Sequence, residues 1–190
     1  MKYEISQQAY CDFLNTLLRN QQISRVATNI STINVNNRFV MSNSMNSMSR
    51  NFVSCYPTVP PLPGPIEFSC DASNNFIGSE SNDGQNVACN YLSYGDVAAY
   101  LDWAALRLMT EFEYEKCGRG NLTANPNEYA WGNSVYYPHS SIINANLATE
   151  APAEPFSNPT WYPSGGPLRN GIFARVNSDR TNARAGYYGC

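Results

Sequence analysis

The chain has 190 residues, a formal net charge of −3 and a pI near 5.1. Hydrophobic residues make up 43% of it and charged residues only 14%, against about 25% charged in ordinary soluble domains. That is enough apolar material for a core, but it excludes the Lys/Arg-rich surface a nucleic-acid binder uses to displace counterions. No apolar run reaches the roughly 18 residues of a membrane-spanning helix. With 24 asparagines and 13 tyrosines, solubility rests on neutral polar groups, which points towards a secreted or surface protein.

The single histidine, His139, excludes mechanisms that need two or three imidazole ligands. It follows Tyr136-Tyr137-Pro138 and is expected on a surface loop. No basic segment followed by an apolar one opens the chain as a signal peptide does. The chain reads as starting and stopping inside a domain.

Ser6 is placed to cap a first helix. Ala9, Tyr10, Phe13, Leu14 and Leu17 then form one apolar stripe, and the helix is expected to run to Leu18–Asn20. Residues 21–86 read as a long insertion. Asn, Ser and Met dominate its first part, and Pro57, Pro60, Pro61, Pro63 and Pro65 follow, favouring extended geometry. Two short strands are expected there, Ile33–Met41 and Pro65–Ser69. A loop of that length is either pinned by cysteines or binds something.

Ser93 and Asp96 have the spacing of a capping box. They open a second helix whose apolar face carries Val97, Ala98, Leu101 and Ala104/Ala105. Thr110 and Glu113 form another such box and open a third helix, closed by Gly118 and Gly120. Beyond residue 120 the sequence predicts strands at Tyr129–Gly132 and Gly171–Ala174, with a turn over Ser164–Pro167. Helices early and strands late predict an α+β domain with much irregular structure.

The cysteines are Cys11, Cys55, Cys70, Cys89, Cys117 and Cys190. None forms a CxxC pair, so zinc-knuckle and thioredoxin-type chemistry is unsupported. An even count allows disulfides, and Cys70–Cys89 is the easiest loop to close. Glu111, Glu113 and Glu115 spread around their helix, and capping explains Glu113, so they do not suggest paired acid–base chemistry. Arg107 and Arg119 are expected to pair with Glu111 or Glu115. Asn29-Ile30-Ser31 and Asn121-Leu122-Thr123 fit the glycosylation pattern, a frequent chance match in an Asn-rich chain.

Several segments match one family in order. Met1–Tyr10 resembles the strand–helix opening of formylglycine-generating-enzyme-like, or sulfatase-modifying-factor, domains. Leu92–Trp103 resembles their V-S-W-x-x-A-x-A-Y-x-x-W helix. Arg107–Glu115 resembles R-L-P-T-E-A-E-W-E, followed by Arg119-Gly120 and Tyr129–Gly132. Gly171–Phe173 and Gly186–Gly189 resemble the stretch before the family's G-N-V-W-E-W motif. The resemblance covers about residues 1–20 and 87–190 but not the insertion. Its flavour is close to variants in surface and gliding-motility lipoproteins of Bacteroidota.

The resemblance implies a C-type-lectin-like α+β fold, poor in regular structure, over residues 1–190. In that fold Trp103, Tyr114 and Trp131 are expected core aromatics. The family's enzymes oxidise a sulfatase cysteine to formylglycine with a copper-binding cysteine pair that lies after G-N-V-W-E-W. No cysteine here matches that pair, and Cys190 precedes the motif, so copper is implied only if the chain continues. The family's A-N-I-W segment contributes to a calcium site. Ala145-Asn146-Leu147 stands in its place, making Asn146 and the Leu147 carbonyl candidate ligands, with Glu150 or Glu154 supplying a carboxylate.

The function expected is a non-catalytic binding or structural module at a bacterial cell surface, extracellular, periplasmic or outer-membrane. Its partner would be a protein or glycan, within a larger assembly, and not nucleic acid. The alternative is the N-terminal part of a copper-dependent formylglycine-generating oxidase.

Overall fold

The computed structural model describes residues 3–42, 49–123, 125–154, 157 and 166–173. Helix α1 (Gln7–Asn15) begins where the sequence places it, with the Ser6 hydroxyl accepting from the Ala9 amide. It stops earlier than expected. The chain breaks after Thr16 and restarts as a short helix α2 (Arg19–Ile23). Two-residue strands β1 (Val53–Ser54) and β2 (Ser69–Cys70) pair antiparallel, with Val53 opposite Cys70. Helices α3 (Tyr94–Trp103) and α4 (Glu111–Arg119) both carry the capping boxes the sequence announces. Gly120 closes α4 with φ +70°, a conformation that favours glycine. Strands β3 (Ile142–Ile143) and β4 (Ala151–Pro152) form a second antiparallel pair.

The expected strand over Ile33–Met41 is reduced to isolated bridges, Asn34 with Thr58 and Phe39 with Ser54. The segments Tyr129–Gly132 and Gly171–Phe173 are turns, not strands. Tyr129 both accepts from Gly132 and donates to the Asn133 carbonyl, a local closure of the chain. Ala174 lies outside the described residues, as do Ser164 and Gly165 of the expected turn.

The core is built from α1 packed on β1, β2 and α3. Tyr10, Phe13 and Leu14 of α1 meet Tyr100 of α3, and Trp103 lies 5.7 Å from Phe13, ring to ring. Much of the remaining core comes from residues 21–86: Ile30, Val40, Val53, Val59, Ile66, Phe68 and Cys70 are all buried. This polar-looking segment is therefore part of the packed interior.

Polar side chains extend what the two-residue ladder of β1 and β2 begins. Gln22 Nε2 donates to the Leu14 and Ile66 carbonyls, while its Oε1 accepts from the Ile66 amide. Asn15 makes the same donor–acceptor pair with Phe68. Gln7 donates to the Arg50 carbonyl at 2.6 Å and accepts from Phe52 N at 2.7 Å. In each case a side-chain amide does what a neighbouring strand would do, satisfying buried backbone groups that would otherwise be costly. Arg19, only 2% exposed, donates to the carbonyls of Ile30, Thr32, Pro60 and Gly64. It gathers three irregular segments around one guanidinium.

Candidate functional site

The α3–α4 connection forms an exposed apolar face. The chain turns at Ala105, whose φ is +56°, and Leu106 N donates back to the Leu101 carbonyl. Leu106, Arg107, Met109 and Glu113 then line an open depression of about 550 Å³. Helix α4 has no buried residue. Phe112 is 87% exposed and Tyr114 71%. Tyr114 is thus not a core aromatic, and Trp103 is nearly half exposed. Trp131 is half-buried and stacks on Tyr129 with 4.7 Å between ring centroids.

At the rim Arg107 grips Glu113 through two hydrogen bonds of 2.7 and 2.5 Å. This fork-on-fork pair and the Thr110 amide and hydroxyl hold the Glu113 carboxyl well below the usual carboxylate range. The pairing differs from the expected Glu111 or Glu115, because Glu113 is already fixed at the helix start by its cap. Arg119 pairs with Glu115, as expected, and also with Glu128. Glu113, Glu115 and Glu128 thus have structural partners, and among the described residues none is paired with a second carboxylate for proton transfer.

A second cluster surrounds the candidate calcium ligands, and it holds a guanidinium. Arg50 Nη2 donates to Asn146 Oδ1 at 3.1 Å, and both its terminal nitrogens donate to the Glu150 carboxylate. Glu150 is buried and also accepts from the amides of Asn146 and Arg169. The Asn146 carbonyl accepts from Gly84 N. Glu154, the other candidate carboxylate, accepts instead from Ser140. Calcium requires six to eight oxygen ligands around a doubly charged ion. Here the Asn146 and Glu150 oxygens already face a cation, so the residues as arranged do not fit calcium. The positive charge expected from a metal is supplied by a side chain from residue 50, inside the segment that the resemblance left uncovered.

The thiols also depart from expectation. Cys70 and Cys89 are free, not bridged to one another. Cys70 sits on β2 facing α1, where its sulfur lies 4.0 Å from Cys11 Sγ. The Cys89 sulfur faces the Asn90 carbonyl instead. Burial pushes the Cys55 thiol up to about 11 and the Cys89 thiol further up still. Thiols so disfavoured as thiolates are poor nucleophiles and poor copper(I) ligands. Cys117, on α4, is disulfide-bonded.

His139 is buried to 2% exposure, not displayed on the surface, and among the described residues neither ring nitrogen has a hydrogen-bond partner. Composition could not have shown this, because the burial comes from packing around an irregular segment. The Arg50–Glu150 pair was equally hidden, since its members are 100 residues apart.

These features define an α+β domain with little regular structure, held together in part by side-chain hydrogen bonds and carrying an open apolar face at α4. The model of the sulfatase-modifying factor enzyme 1-like domain family matches residues 1–165, and the chain belongs to that family. A formylglycine-generating enzyme from Thermomonospora curvata is 40% identical over 58 residues, which is 30% of this chain and 18% of the relative. The match thus spans less than a fifth of that relative's length. No solved structure matches the chain. Among the described residues no helix is long and apolar enough to cross a membrane.

Proposed function

We propose that this domain is a non-catalytic binding module of its family, on the family's C-type-lectin-like fold. It acts at a bacterial cell surface within a larger assembly and engages a protein through the α3–α4 face. The observation that carries the reading is α4 itself, a capped helix with no buried residue and large apolar side chains facing outward. Exposed apolar patches on soluble domains mark interaction sites. Leu106, Met109 and Phe112 suit an apolar protein surface better than a glycan, because a sugar face needs more hydrogen-bonding groups than these residues offer. The neighbouring Arg107 and Glu113 neutralise one another.

Photo-crosslinking from position 112 on producing cells tests this. The expected result is one dominant protein adduct whose yield falls about tenfold in Met109→Asp, the loss expected of one apolar anchor. An absent adduct, or one indifferent to Met109→Asp, overturns the reading.

The alternative is the scaffold part of a copper-dependent formylglycine-generating oxidase, supported by the relative's name. It requires a cysteine pair other than the four described free cysteines. Conversion of a sulfatase-derived cysteine peptide to its aldehyde, with copper and dioxygen present, would establish it.

A further inference from the structure

We propose that Cys11 and Cys70 are an oxidisable pair that closes into a disulfide, stapling α1 to β2. The two thiols come from elements 59 residues apart, both are fully buried, and their sulfurs are 4.0 Å apart. That is about 2 Å longer than an S–S bond, a gap on the scale of a side-chain rotation. The backbone elements carrying them are already packed on each other. The neighbouring Cys70 thiol, and burial after it, push the Cys11 thiol up. Cys11 is therefore a poor nucleophile while the chain is folded.

The surroundings single out this pairing. Cys55 lies near Arg19 and Arg38, whose charges act on its thiol, and Cys89 is turned towards Asn90. Cys117 is disulfide-bonded, so the chain already carries oxidised cysteine. Nothing in the binding reading uses Cys11 or Cys70, and the staple lies in the core, away from α4.

The chemistry is thiol–disulfide exchange with a low-molecular-weight or protein disulfide as oxidant. Two S–H bonds break and one S–S bond forms. Two electrons and two protons pass to the oxidant, which leaves as two thiols. Closing a loop this long restricts the unfolded chain strongly, so the oxidised form melts higher.

The test exposes the full chain to glutathione disulfide, both folded and during refolding, so that burial cannot mimic absence of reaction. Free thiols are then alkylated under denaturing conditions and the peptides mapped by mass. The expected product is a Cys11–Cys70 cross-linked peptide two hydrogens lighter than the thiols, with Cys55 alkylated. The thermal midpoint should rise by roughly 10 °C, as a long-loop disulfide implies for a domain of this size. Dithiothreitol should reverse the rise, and Cys70→Ala should show none. Full alkylation of Cys11 and Cys70 after oxidative refolding would overturn the proposal. So would a Cys70–Cys89 link, or a mass gain from a bound metal in place of the two-hydrogen loss.

Discussion

Two capped helices show how little a helix's own sequence decides about its surroundings. Helix α1 begins at a serine cap and buries Gln7, Tyr10, Cys11, Phe13 and Leu14. Helix α4 begins at a complete capping box and buries nothing. The caps work alike, because each satisfies amides of its own first turn. Burial differs because α1 meets β1, β2 and α3, whereas among the described elements α4 makes no comparable packing. Helix formation is local, and the fate of its faces is not.

The largest test of this contrast sets Arg19 against Phe112. Arg19→Met keeps the apolar stem but removes donors from the carbonyls of Ile30, Thr32, Pro60 and Gly64. Leaving several buried acceptors unpaired should cost about 4 kcal/mol or more in urea unfolding. Phe112→Ser, a drastic change of polarity at an 87% exposed position, should stay within about 0.5 kcal/mol. Comparable losses from the two would show that α4 is packed in solution and would remove the basis for its role as a contact surface.

Next in size is Glu150. Its carboxylate takes Arg50 and two backbone amides in a buried site. Glu150→Gln leaves the Arg50 guanidinium buried without its counter-charge, which should cost about 3 kcal/mol. Arg50→Met in the same background should recover part of that loss, since replacing both members of a buried pair by uncharged groups is far milder than breaking it. If the double variant is no better than Glu150→Gln, the site depends on Arg50 for more than charge balance.

His139 reverses the sign. A buried imidazole whose nitrogens have no partner among the described residues forfeits hydration without compensation. His139→Phe keeps the ring and removes the polar atoms, so it should stabilise the domain by about 1 kcal/mol. A destabilised variant would show that a ring nitrogen is satisfied in solution.

What was readable in the sequence follows the same division. Ser6, Ser93 and Thr110 announced their helices because cap and capped amide lie three residues apart. The role of residues 21–86 was not readable, because Gln22 and Asn15 look like solvent-facing amides until Ile66 and Phe68 come to meet them. His139 and Tyr114 were misplaced in opposite directions for one reason. Residue type sets a preference for burial, but packing decides it. The family was legible from its ordered motifs, whereas the occupant of the Asn146 site was not, since Arg50 belongs to no motif.

The smallest expected effect is the most discriminating for that site. Removing divalent cations with EGTA, then restoring calcium at millimolar concentration, should move the thermal midpoint by less than about 1 °C. A ligand that binds only the folded chain stabilises it by an amount that grows with the logarithm of its concentration, about 2.7 kcal/mol at a hundred times its dissociation constant. For a domain of this size that corresponds to roughly 5–10 °C. A guanidinium tied to Glu150 and Asn146 leaves calcium no such differential, because binding would first have to expel Arg50 from the oxygens it holds. A concentration-dependent rise would mean that Arg50 swings away and that the chain keeps an ion site beneath it. Running the titration on Arg50→Met separates the two cases: a response that appears only in this variant shows that the guanidinium occupies a cation position the remaining oxygens can still form.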